Sequence, residues 1–94
     1  MTTNLAGRPP RAPLAVRTEH RPLRASVEEA VNGYFLDLGN GHTSNVYDMV
    51  LEEVEPPLLR AVLRHTRNNQ SKAARMLGLS RGTLRKKLKQ YGLL

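Results

Sequence analysis

From Leu23 onward the apolar residues recur at steps of three and four, a period that admits helices and little else. Leu23, Val27, Ala30, Val31, Tyr34, Phe35 and Leu38 share one face of a first helix. Two start signals compete for it: Pro22 as the first helical residue, or Ser26 with Glu29 as a capping box. Gly39 and Gly41 in GNGHTS stop it. Ser44 or Asn45 then caps a long helix, with Val50, Val54, Leu58, Ala61, Val62 and His65 in phase along it. Pro56 and Pro57 interrupt its middle, removing backbone donors and crowding carbonyls a turn earlier. Because the apolar phase survives them, the spacing predicts one kinked helix rather than two. His65, on the inner phase, reads as a packing residue.

The last helical stretch, NNQSKAARMLGLSRGTLRKKLKQYG, divides in two. Asn69 caps a short helix over residues 70–77, and Gly78 stops it. Ser80 caps a second, from Arg81 to about Gln90, whose inner face is Leu84, Leu88 and Tyr91. Ala74 and Gly78 are small enough to let two helices approach closely, and Leu77, Leu79 and Leu84 wedge the angle. These features predict a helix-turn-helix, its motif spanning about residues 70–89.

Charge is segregated along the chain. Residues 1–24 carry a net +4, residues 25–55 a net −7 with no Lys or Arg, and residues 56–94 a net +10 with no acid. Such segregation points to a polyanion at one end. Residues 1–22, with Pro9, Pro10, Pro13 and Pro22, read as a flexible basic arm; residues 23–66 read as dimerisation helices; residues 67–94 hold the helix-turn-helix. A chain of 94 residues has a marginal core unless a second copy completes it. The apolar faces of the first two helices, taken from two chains, would make a four-helix core. The expected fold is therefore all-α, with four helices per chain in an intertwined homodimer. The acidic middle would lie in the body of that dimer, away from phosphate.

Several classes are disfavoured. Absence of cysteine excludes disulfides and thiolate metal sites, and no apolar run is long enough to span a membrane. With no apolar run behind Arg8 and Arg11, no signal peptide is expected, and the simple inference is a reducing, cytoplasmic setting. One Phe, three Tyr and no Trp argue against a single-strand stacking platform. His20, His42 and His65 are far apart and lack acids at ligand spacing, so neither a metal, a cofactor nor an enzyme activity is expected.

At about 100° per residue, Leu84 and Leu88 point inward while Gly82, Lys86 and Lys89 point outward, flanked by Thr83 and Arg85. Arg81 in the first turn can fork onto a guanine edge. The free amides near Asn69, Gln70 and Ser71 suit phosphate oxygens. Arg85, Lys87 and Lys89 suit the DNA backbone, where contacts position rather than specify.

PLRASVEEAVNGYF and VLEEVEPPLLRAVLRHTRNNQSKAARMLGLSRGTLRKKLKQYG, with their spacing, resemble the Fis (factor for inversion stimulation) family of bacterial nucleoid-associated proteins over about residues 21–94. RGTLRKKLK is the most specific part of the likeness. The resemblance implies a homodimer that binds degenerate duplex DNA sites in the major groove and bends the duplex. It also implies roles in transcription and DNA architecture, with RNA polymerase or a DNA recombinase as candidate partners. By position it puts Arg81 and Lys86 on bases with Ser80 beside them. Asn69, Gln70, Ser71, Thr83, Arg85, Lys87 and Lys89 would then hold phosphates. Two features depart from the family pattern: a proline-rich arm without a strand pair, which argues against recombinase activation, and a second proline beside Pro57. Rival readings are the DNA-binding domain of an NtrC-type activator, disfavoured because no G-x-x-x-x-G-K-[ST] loop precedes it, and a basic RNA-binding protein, disfavoured by the scarcity of aromatics.

Overall fold

The computed structural model describes residues 14–16 and 21–94. Most of the arm, including Arg8, Arg11 and Arg17, lies outside the described residues. Four helices make up nearly all of the rest: α1 (Leu23–Leu38), α2 (Val46–His65), α3 (Gln70–Leu77) and α4 (Arg81–Gln90). The described residues are thus all-α apart from one strand pair. It divides into two compact units, one ending at His42 and the other running Thr43–Leu94.

In the first unit, β1 (Ala15–Val16) pairs antiparallel with β2 (Arg21–Pro22), joining Ala15 to Pro22 and Val16 to Arg21. This corrects the expectation that the arm holds no strand pair. Two residues per strand are too few to show an alternating pattern, and Pro22 closes a strand where its missing donor does least harm. Neither sequence signal for the start of α1 holds. Pro22 is the N-cap, not the first helical residue, and no side chain caps the helix. Ser26 lies inside α1, where the Arg21 guanidinium donates to its Oγ at 3.3 Å and also to the Glu29 carboxylate. That bond to Glu29, with the attached positive charge, holds the Glu29 carboxyl below its ordinary value. Gly39, at φ 62°, ends α1 and returns its N–H to the carbonyl of Phe35. No residue of α1 is buried within the single chain.

In the second unit α2 runs unbroken through Pro56 and Pro57. Asn45 occupies its N-cap position with a left-handed backbone, φ 62°, and makes no side-chain cap bond. The core is small: Leu59 and Leu63 from α2, Ala73 and Ala74 from α3, Leu84 and Leu88 from α4. Val62, Leu77, Tyr91 and Leu93 pack around it. Buried Thr66 donates from Oγ1 to the Leu63 carbonyl at 3.2 Å, satisfying its hydroxyl at the end of α2. Arg67 and Asn68 then turn the chain with φ of 55° and 66°.

Within the single chain His65 is exposed, as are Leu58 and Ala61 on the same stripe, so that stripe does not pack on α3 and α4. The stripe that packs on α3 and α4 is displaced by one residue, Glu55–Leu59–Leu63, whereas sequence phase singles out its neighbour. Gly78 is also not a close-approach residue, because a Cβ there would meet nothing within 4 Å. Its requirement is conformational: φ is 77°, which costs a side-chain-bearing residue and costs glycine little. Close approach falls instead to Ala73 and Ala74, which are 0% and 4% exposed.

Candidate nucleic-acid interface

Each short helix is held by the cap its sequence announces. The Asn69 side chain accepts from the backbone N–H of Lys72 at 3.0 Å, and the Ser80 hydroxyl accepts from that of Thr83 at 3.1 Å. Gly78, Leu79 and Ser80 form the turn between them. Leu84 and Leu88 turn fully inward, so α4 presents its remaining faces to solvent. Arg81, Gly82, Thr83, Arg85, Lys86 and Lys89 line those faces.

The site residues expected from sequence fall into distinct states. Arg81, Lys86 and Lys89 on α4, and Ser71 on α3, make no side-chain hydrogen bond or ion pair among the described residues, so they are available to a ligand. Arg85 donates to the Gln70 side chain at 3.1 Å, which joins α3 to α4 and orients one guanidinium along their common edge. The Ser80 hydroxyl, besides capping, donates to the Thr83 hydroxyl at 2.9 Å. Asn69 is likewise committed to its cap, so its contribution to an anion site would come from backbone. Lys87 is the least available: it turns back to Glu55 on α2 at 3.0 Å and is only partly exposed.

Sequence reading missed Glu55. Its carboxylate accepts from the Tyr91 hydroxyl at 2.6 Å through Oε1 and from Lys87 through Oε2. The bond from Tyr91, then that from Lys87, holds the Glu55 carboxyl below its ordinary value against the opposing effect of burial. The Tyr91 hydroxyl is correspondingly pushed up to about 12, chiefly by its bond to Glu55. A signal existed in the four-residue steps of Leu51, Glu55, Leu59 and Leu63, which place this acid on the stripe facing α4. Also unforeseen is a basic concavity, where Arg60, Arg64 and Arg67 gather around Leu63 and Leu93.

Two capped helices, a left-handed glycine elbow and a shared leucine core define a helix-turn-helix protein. Residues 50–91 match the family described as bacterial regulatory protein, Fis family. A relative from Psychromonas ingrahamii, named DNA-binding protein Fis, is 51% identical, covering 86% of this chain and 82% of its own length. Proteins of the same name from Aeromonas hydrophila and Yersinia enterocolitica are 49% and 53% identical, over 84% and 78% of this chain and 81% and 74% of theirs. The chain belongs to the Fis family.

Proposed function

We propose that this protein is a Fis-like DNA-binding regulator, acting as a homodimer that bends duplex DNA and shapes transcription and nucleoid architecture in the bacterial cytoplasm, without catalysis. The observation that carries the reading is the outer surface of α4. Arg81, Lys86 and Lys89 stand outward on a helix fixed by a cap and two buried leucines, with no acid anywhere in residues 56–94. A rigid cationic helix of this kind fits a major groove. Arg81 and Lys86, with Ser80 beside them, read bases. Asn69, Gln70, Ser71, Thr83, Arg85 and Lys89 hold phosphates, and Lys87 joins them to the extent that Glu55 releases it. The NtrC-type and RNA-binding readings are weaker, since relatives named DNA-binding protein Fis match over most of their own length.

Dimerisation is part of the proposal. Phe35 and Leu36 on α1 and Tyr47 and Leu58 on α2 are exposed large apolar residues, and a second copy would cover such surface. RNA polymerase and a DNA recombinase are candidate further partners. The strand pair at Ala15–Val16 and Arg21–Pro22 removes the sequence-based objection to the latter.

A gel-shift series on circularly permuted duplexes tests the proposal. We expect one dimer per site and a mobility that depends on site position, which reports bending. Structured RNA should compete poorly. Binding that is monomeric, indifferent to permutation or equally strong on RNA would refute it.

A further inference from the structure

The two prolines divide α2 mechanically. Neither Pro56 nor Pro57 has an N–H, so the carbonyls of Glu52 and Glu53 lack their helical donors, and the backbone there is held by fewer bonds than elsewhere in the helix. Beyond this step the helix-turn-helix is fastened to α2 by apolar packing, through Leu59 and Leu63. Before it, no residue of α2 is buried. Instead, a cleft lined by Asp48, Leu51, Glu52 and Gln90 lies between this half of α2 and the end of α4. Glu55 bridges the cleft edge. It is the last residue before the prolines, and among the described residues its bonds to Tyr91 and Lys87 are the only side-chain hydrogen bonds from α2 to the α4 end of the chain. The Glu55 side chain is 18% exposed and that of Lys87 29%, so both bonds are shielded enough to hold a geometry.

We propose that Glu55 is a positioning residue: through Tyr91 and Lys87 it struts α4 against the first half of α2 across the proline step, and so sets how far apart a dimer holds its two recognition helices. The inference rests on the duplex-binding dimer proposed above. Without the strut, α4 still folds on Leu59 and Leu63 but can swing with the second half of α2. A dimer with swinging readers accepts a wider range of half-site separations. Specificity for spacing, rather than affinity, is the property at stake.

The test uses the full chain and a symmetric duplex site selected by the wild type from a random pool, its centre lengthened or shortened one base pair at a time. Tyr91→Phe removes the hydroxyl alone, and Glu55→Gln retains an acceptor for Tyr91 while removing the charge that holds Lys87. Lys87 is left intact because it borders the proposed DNA surface. Wild type should show a sharp optimum in separation. Tyr91→Phe should lower the preference for that optimum over its neighbours by roughly tenfold, about one hydrogen bond to a charged group, with Glu55→Gln intermediate. Circular dichroism should be unchanged in both variants, and the salt slope of binding to random duplex unchanged in Tyr91→Phe, which separates the strut from a general loss of fold or charge. Variants that keep the wild-type optimum and its sharpness overturn the inference while leaving the proposed function standing. A wild type that binds no duplex, or shows no optimum, overturns both.

Discussion

Replacing Leu59 by alanine should be among the most damaging single truncations in the Thr43–Leu94 unit. Leu59 is 2% exposed and belongs to a core of six buried residues, two of which are already alanine. Losing its terminal carbons forfeits transfer free energy, about 1.5–3 kcal/mol for a fully buried leucine side chain. A cavity term adds to this, because Leu84 and Leu88 are themselves fully enclosed and the surrounding side chains can relax only partly into the space left. Buried leucine truncations cost about 2–5 kcal/mol, and limited relaxation puts this one at about 3–5 kcal/mol. Urea denaturation followed by far-ultraviolet circular dichroism, at fixed protein concentration, measures it as a shift in midpoint at constant slope. Leu77, half-buried at the edge of the same core, should cost distinctly less when truncated. A loss under about 1 kcal/mol for Leu59→Ala, or one no larger than for Leu77→Ala, would refute the assignment of the core to the Leu59–Leu63 stripe.

Further expectations bear on the two outer surfaces. Leu58→Glu, one residue away on an exposed stripe, should leave the helices intact yet yield a monomer in analytical ultracentrifugation; an unchanged dimer would move the interface elsewhere. Arg81→Ala should cost about 1–3 kcal/mol on specific duplexes only, whereas Lys89→Ala should weaken specific and random duplexes alike in fluorescence-anisotropy titrations. Gly82 lies in α4, and a Cβ added there would meet nothing within 4 Å, so Gly82→Ala should stabilise the fold by roughly 0.5–1 kcal/mol while weakening duplex binding; tighter or equal binding would show that no duplex approaches it. Glu55 and Tyr91 give stability opposite pH limits. The lowered carboxyl contributes above its ordinary 4.5 and loses that contribution as acid protonates it through the folded value, while the raised phenol contributes below its ordinary 10.0 and loses it between there and about 12. Denaturation midpoints against pH, with tyrosinate absorbance, should show the alkaline step in wild type and not in Tyr91→Phe.

Helix boundaries of α3 and α4 are legible in the sequence because each is announced chemically. Asn69 and Ser80 cap where their residue types and spacing place a cap, and Gly78 takes the left-handed conformation that a C-cap glycine predicts. Outer positions of α4 follow from its two inward leucines. Facing in α2 is not legible in the same way. Its apolar residues lie on two adjoining stripes, Val50–Val54–Leu58 and Leu51–Leu59–Leu63, and periodicity alone does not say which one meets the rest of its own chain. Glu55 is hidden for a related reason: a carboxylate among apolar positions reads as surface until its partners, 32 and 36 residues away in sequence, are seen on α4. The start of α1 is misread because Arg21, outside the helix, claims both members of the presumed capping box.

Two stripes on one helix also account for the charge pattern. A helix that serves one surface can carry mixed charge on its remaining circumference, but α2 gives one face to α3 and α4, and the proposed dimer takes a second. Its acids, Asp48, Glu52, Glu53 and Glu55, all precede the prolines, and its arginines, Arg60 and Arg64, all follow them. Asp48 in the first turn and Arg64 in the last complement the helix dipole. The same ordering keeps acids clear of the surface offered to phosphate, with one exception. Glu55 sits at the boundary and is neutralised by Lys87, so the carboxylate of α2 that bonds to α4 among the described residues does so as a tie and not as a repulsive charge.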